Sequence, residues 1–201
     1  RIVLQRPEID RLGRLIRDLD VFGHPLAVHN PTGDDAFRDS DWTSYGILQG
    51  PKTTNLAALS DGLLRNHRPR KPLYAQETLW SGNQHGHPDY TNRQLRQNAY
   101  LIVMSAAALN FADNGGPSPD EIGNSSSGFS GTLDLCARRQ WRHDIVHQVW
   151  DTFAKIPFYH MRPRQDLVSA GYCLADEGTS YLVYLPTGGE VNVALDGKTY
   201  E

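Results

Sequence analysis

The chain is poor in cysteine, carries little net charge and contains no long apolar run. Cys136 and Cys173 are the only thiols in 201 residues. Two cysteines do not make a disulfide scaffold and do not fix the redox compartment, and the pair is free either to bond or to stay reduced. The formal charge is -3, and the sequence shows no basic stripe of the kind a phosphate backbone requires, so nucleic acid is not an expected partner. No apolar stretch approaches the roughly 20 residues of a membrane span, so a membrane is not expected either. Three catalytic signatures are also missing. There is no HExxH helix or Cys/His quartet for zinc, no P-loop lysine and no GxSxG elbow. "HNPTGDD" and "NQHGHPD" hold ligand-type side chains, among them His85 and His87, but without a metal-site spacing. Neither a metal nor a cofactor is expected.

What is present is a rhythm. "PEIDRLGRLIRDLD" repeats apolar residues at Ile9, Leu12, Leu15, Ile16 and Leu19, the stripe of an amphipathic helix, with Pro7 in its first turn and Gly23 past its end. Short apolar runs at His24–Asn30, Tyr45–Pro51, Lys71–Glu77 and Leu109–Asn114 read as strands. Helical patterns lie at Thr53–His67, weakened by Gly62, at Tyr90–Ala108, and at 138–156, where Trp141, Ile145, Val149 and Phe153 recur. Strands alternating with helices imply an α/β fold with a parallel sheet, its strands buried on both faces. Near Arg164 the texture changes to alternating strands and tight glycine turns, the pattern of an antiparallel β module.

Polar residues gather where the predicted strands end: His29 and Asn30, Gln49, Gln76 and Glu77, Asp113 and Asn114. In parallel α/β folds the strand carboxyl ends form one face, and sites assemble there. Trp42, Trp80 and Phe129 fall in the neighbouring loops, and flat aromatic faces in a polar cleft suit sugar rings. "SSSGFSG" reads as a flexible loop beside that cleft. Within "KPLYAQETLW", Glu77 closes an apolar run with aromatics on either side. It is either a strand-end ion-pair partner, of Lys71 or an arginine, or one of the two carboxylates that chemistry at an anomeric carbon needs. His29 is either a substrate contact or a histidine hydrogen-bonded at the rim, and Trp80 either a sugar platform or loop packing. Glu8, close to a helix start, suits a capping or dipole role.

"LGRLIRDLDVFGHPLAVHN", "KPLYAQETLW" and "DLVSAGYCLADEGTSYLVYLPTGGEVNVAL" together resemble the apiosidase-like (β/α)8 glycoside hydrolases, in which a catalytic barrel precedes a small β-sandwich module, described in some relatives as collagen-binding. The resemblance implies that residues 1–160 are the carboxyl-terminal half of the barrel, strands five to eight, and that 164–201 begin the sandwich. It implies a retaining glycosidase with Glu77 as nucleophile at the end of strand seven. His29, Asn30, Trp42, Gln49, Trp80, Asp113 and Asn114 would then contact a plant, algal or microbial poly- or oligosaccharide. The acid/base would sit on strand four, upstream of Arg1. It favours a secreted or periplasmic location. A full barrel needs about 250 residues, so the expected partners are the missing amino-terminal half or a second copy. A rival reading is a carbohydrate- or matrix-binding protein that keeps the cleft but lacks a carboxylate pair.

Overall fold

The computed structural model describes residues 4–31, 33–34, 36–81, 88, 90–113, 140–195 and 197. Helix α1, Arg6–Leu19, starts where expected, with Pro7 in its first turn. Glu8 caps it by accepting the Gln5 N–H at 2.7 Å. At its far end the Asp20 carboxylate accepts the N–H groups of Phe22 and His24 and contacts His24 Nδ1 at 2.9 Å. The His24 hydrogen bond is the main reason that the Asp20 carboxyl titrates below its ordinary value. The helix buries only Gly13. Its leucine and isoleucine stripe has the expected period but stays in solvent, with Leu12, Leu15, Ile16 and Leu19 all exposed.

The run His24–Asn30 is not a strand. It has no ladder to join: Leu26 exchanges one backbone bond with Ser44, and its own N–H goes to the Ser44 hydroxyl. The strands that do form are β1 Gly46–Gln49, β2 Leu73–Ser81 and β3 Ala107–Asp113, parallel and in the order β1-β2-β3. Parallel neighbours require long crossovers, and helices α2 (Leu56–Asn66) and α3 (Asn92–Met104) supply them. Asn55 caps α2 and the Thr91–Gln94 box caps α3. Gly62 has a reason to interrupt α2, since a Cβ there would overlap the ring of Pro51.

Among the described residues the sheet is more fully covered on one face than on the other. Leu48, Leu73, Ala75, Leu79, Ala107 and Leu109 enter a core with Leu59 and Leu63 of α2, Leu95, Ala99 and Ile102 of α3, and Ile145, Val149 and Phe153 of helix α4, Gln140–Phe153. The alternate residues Ile47, Gln49, Tyr74, Gln76, Ala108 and Asn110 are only partly covered or exposed. The expectation of strands buried on both faces is therefore corrected at these positions, while Thr78, within the irregularity in β2, and Trp80, past it, are buried. The period of two is plain once one face is open.

After a 3₁₀ turn at Phe158–His160, strands β4 (Arg162–Pro163), β5 (Tyr172–Asp176) and β6 (Ser180–Tyr184) form a small antiparallel sheet. It packs on α3 rather than on the last helix: Tyr184 stacks on Tyr100 at 5.2 Å and Gln97 donates to the Pro186 carbonyl. Leu174 and Met161 lie in the same hydrophobic core as the parallel sheet. Cys173 is a buried free thiol whose pKa is pushed up by desolvation, and Cys136 lies outside the described residues. No described helix is long and apolar enough to cross a membrane.

Candidate active site

Glu77 lies within β2 rather than at its end. The ladder to β1 stops at Gln49↔Gln76, while the ladder to β3 jumps from Ala75↔Leu109 to Leu79↔Phe111. Gln76, Glu77 and Thr78 thus oppose Asn110 alone, and the backbone of Glu77 takes φ 53°. Such a bulge re-aims a side chain and removes its N–H from the ladder. The Asn110 side chain answers that loss, its Oδ1 accepting the Glu77 N–H at 2.8 Å. From the neighbouring strand Gln49 Nε2 donates to Glu77 Oε2, which holds one carboxylate oxygen. Buried Thr78 directs its hydroxyl to the Gly50 carbonyl at 3.4 Å.

The charge of Glu77 reaches two more groups. Burial pushes the Lys52 ammonium below its ordinary pKa, and the charge of Glu77 acts in the opposite sense. Burial raises the Tyr74 phenol, and the charges of Tyr45 and Glu77 raise it further. Glu77, the Gln49 amide bonded to it and the Lys52 cation in its field thus share the carboxyl end of the parallel sheet, whereas Tyr74, the second residue of β2 and in register with Ile47, lies nearer the amino end.

The residues predicted from sequence separate into groups. Gln49 and Glu77 meet. The segment bearing exposed His29 and buried Asn30 is brought to the same end, because Gly33 donates its N–H to the Gln49 carbonyl at 2.9 Å. Asp113 closes β3 with its backbone opposite Ser81. Asn114, Phe129, His85 and His87 lie outside the described residues.

The two tryptophans are corrections. Trp42 is buried in the segment that leads into the amino end of β1, where its indole packs on Gly13 and its Nε1 donates to Asp10 Oδ1 at 2.9 Å. Trp80 is not in a loop but in β2, buried and in register with Ala112. Neither presents a ring to an open cleft. Lys71, the suggested ion-pair partner of Glu77, is at the opposite end of the sheet, where its ammonium reaches Ser40 O and Thr43 Oγ1. Sequence reasoning missed Asn110 and Lys52. For the first the signal was available, a lone amide inside the apolar run "AALNFAD". Among the described residues no three His, Cys, Asp or Glu side chains group as a metal site would.

By sequence the chain matches no protein-family profile and no curated protein. By structure it is similar to a glycoside hydrolase family 5 protein from Bacteroides vulgatus ATCC 8482, with a TM-score of 0.53 and 15% identity. The match takes in 82% of this chain and 43% of that one, so the chain spans less than half of the solved relative. At that identity the likeness speaks for the fold: a parallel β–α–β sheet with a small antiparallel sheet, resembling part of a glycoside hydrolase.

Proposed function

We propose that the chain is the carboxyl-terminal part of a (β/α)8 glycoside hydrolase of the apiosidase-like kind, acting on a poly- or oligosaccharide with retention of configuration. The similarity to part of a glycoside hydrolase fold supports the class. The observation that carries the reading is Glu77 itself: a carboxylate on a strained bulge at the carboxyl end of a parallel sheet, oriented by Gln49 and backed by Asn110. A merely structural carboxylate needs neither the strain nor the open face.

In this reading the other carboxylate oxygen of Glu77 attacks the anomeric carbon as the glycosidic C–O bond breaks. The leaving oxygen takes a proton from a second carboxylic acid, which the part of the enzyme outside this chain supplies. The resulting glycosyl ester is then opened by water, whose proton returns to that second group, and Glu77 is released as a carboxylate. Gln49 fixes which oxygen attacks. It also steadies the carboxylate before attack, when its charge is greatest. Asn110, whose Oδ1 accepts the Glu77 N–H, keeps its amide N–H groups to offer to sugar hydroxyls.

The test is Glu77→Gln in the protein that also carries the upstream half. The substitution keeps shape and removes charge. Turnover is expected to fall by several orders of magnitude, about as nucleophile removals do elsewhere, with little change in Tm. Azide is expected to restore part of the cleavage of an activated substrate by Glu77→Ala. Full activity with a lowered Tm would strike Glu77 from the mechanism and favour a binding protein without catalysis.

A further inference from the structure

We propose a second binding site, for a ligand carrying two or more anionic oxyacid groups, in the cavity at the amino end of the parallel sheet. Its volume is about 510 Å³, and it opens beside Pro72 and Ala107, where β2 and β3 begin, at the end of the sheet opposite Glu77. Arg68, Arg70 and Lys71 reach it from the turn between α2 and β2, and Arg162 from β4. Trp150 and Tyr159 make an aromatic wall, and among the described residues no aspartate or glutamate lines it. That size suits a ligand of one or two sugar rings or a small polyanion.

The positive charge collected here is poorly answered within the protein. Arg68 reaches Asp39 at 3.2 Å, but both partners are well exposed, and such pairs contribute little. The Lys71 ammonium is hydrogen-bonded to two neutral oxygens, Ser40 O at 2.8 Å and Thr43 Oγ1 at 2.9 Å, and feels the charges of Asp39 and Asp41 without an ion pair to either. Among the described residues neither Arg70 nor Arg162 forms an ion pair. His67 on the rim titrates below its ordinary value, first through burial and then through the charges of Arg38, Arg162 and Arg68. The whole chain carries -3, so this local excess of cations runs against its composition. Ordinary solvated lysines and arginines spread over convex surface. These converge on a concavity with an apolar wall, the arrangement that recognises a sulfate, phosphate or carboxylate borne on a ring.

Titration calorimetry at low ionic strength tests this with three probes: inorganic pyrophosphate, a disulfated disaccharide and the same disaccharide without sulfate. Both anions are expected to bind and the neutral sugar not to. The double variant Arg70→Ala/Arg162→Ala is expected to weaken both by about tenfold or more, with an unchanged Tm because both side chains sit at the surface. The lysine pair Arg70→Lys/Arg162→Lys is expected to retain part of the affinity. Tighter binding of the disulfated sugar assigns an acidic saccharide, and tighter binding of pyrophosphate a free anion. The proposal is overturned if neither anion binds, if the neutral sugar binds equally, or if the arginine variant is unaffected. A loss of anion binding in Glu77→Gln would also overturn it, by moving the site to the other end of the sheet.

Discussion

Glu77 holds its backbone at φ 53°, where an L-residue with a Cβ is strained by about 1–2 kcal/mol. Glycine escapes that cost. Glu77→Gly and Glu77→Ala both remove the carboxylate and the Gln49 hydrogen bond, so they differ in the backbone alone. Glu77→Gly is expected to be the more stable of the two by about 1 kcal/mol in urea unfolding, although glycine weakens strands elsewhere. Equal stabilities would mean that the bulge relaxes when the side chain is lost. The sequence made this residue visible as a charge at the end of an apolar run. It did not show the bulge, because the bulge depends on a cross-strand register: Asn110 faces three residues of β2, and nothing local to "KPLYAQETLW" encodes its position. Trp42 and Trp80 misled for a related reason. An aromatic near a polar strand end has the same composition whether its ring faces the cleft or the core, and the Asp10 partner of Trp42 lies 32 residues away.

At the scale of elements, α1 is fastened through one close approach. A Cβ on Gly13 would lie 2.5 Å from the Trp42 ring. Gly13→Ala therefore sets two effects against each other. Helix propensity favours alanine by about 1 kcal/mol, whereas forcing a methyl against a rigid indole costs about 1–3 kcal/mol. Overpacking is expected to win, with a lower Tm and altered Trp42 fluorescence. In a Trp42→Ala background the sign should reverse, because the clash is gone and only the propensity remains. A destabilising Gly13→Ala in both backgrounds would show that the contact is not what limits this helix. The helices were the legible elements, since caps and periods such as Thr91–Gln94 are local. The segment His24–Asn30 was not. Its apolar run is strand-like, but a strand exists only with a partner, and among the described residues Ser44 alone pairs its backbone.

Among the described residues two surfaces are incompletely covered. One is the alternate face of the parallel sheet, where Ile47 and Tyr74 are partly covered and Ala108 is exposed. The other is the α1 stripe, continued by Val21 and Phe22, which are 86% and 83% exposed. Exposed apolar patches of this kind mark contact surfaces, and the similar glycoside hydrolase is more than twice as long as the matched part. The chain on its own is therefore expected to self-associate in sedimentation velocity at micromolar concentration. Leu15→Glu/Leu19→Glu is expected to shift it toward monomer. Its Tm should stay within a few degrees, because neither leucine contributes to the existing core and surface substitutions change stability by about 0.5 kcal/mol or less. The small antiparallel sheet should behave in the opposite way. Removing residues from 164 onward uncovers Tyr100 of α3 and takes buried Leu174 out of the shared core, so the truncated chain should lose cooperative unfolding rather than change its association. A wild-type chain that stays monomeric at those concentrations would show that the stripe alone does not drive assembly. The partly open sheet face would then be the better candidate for a contact surface.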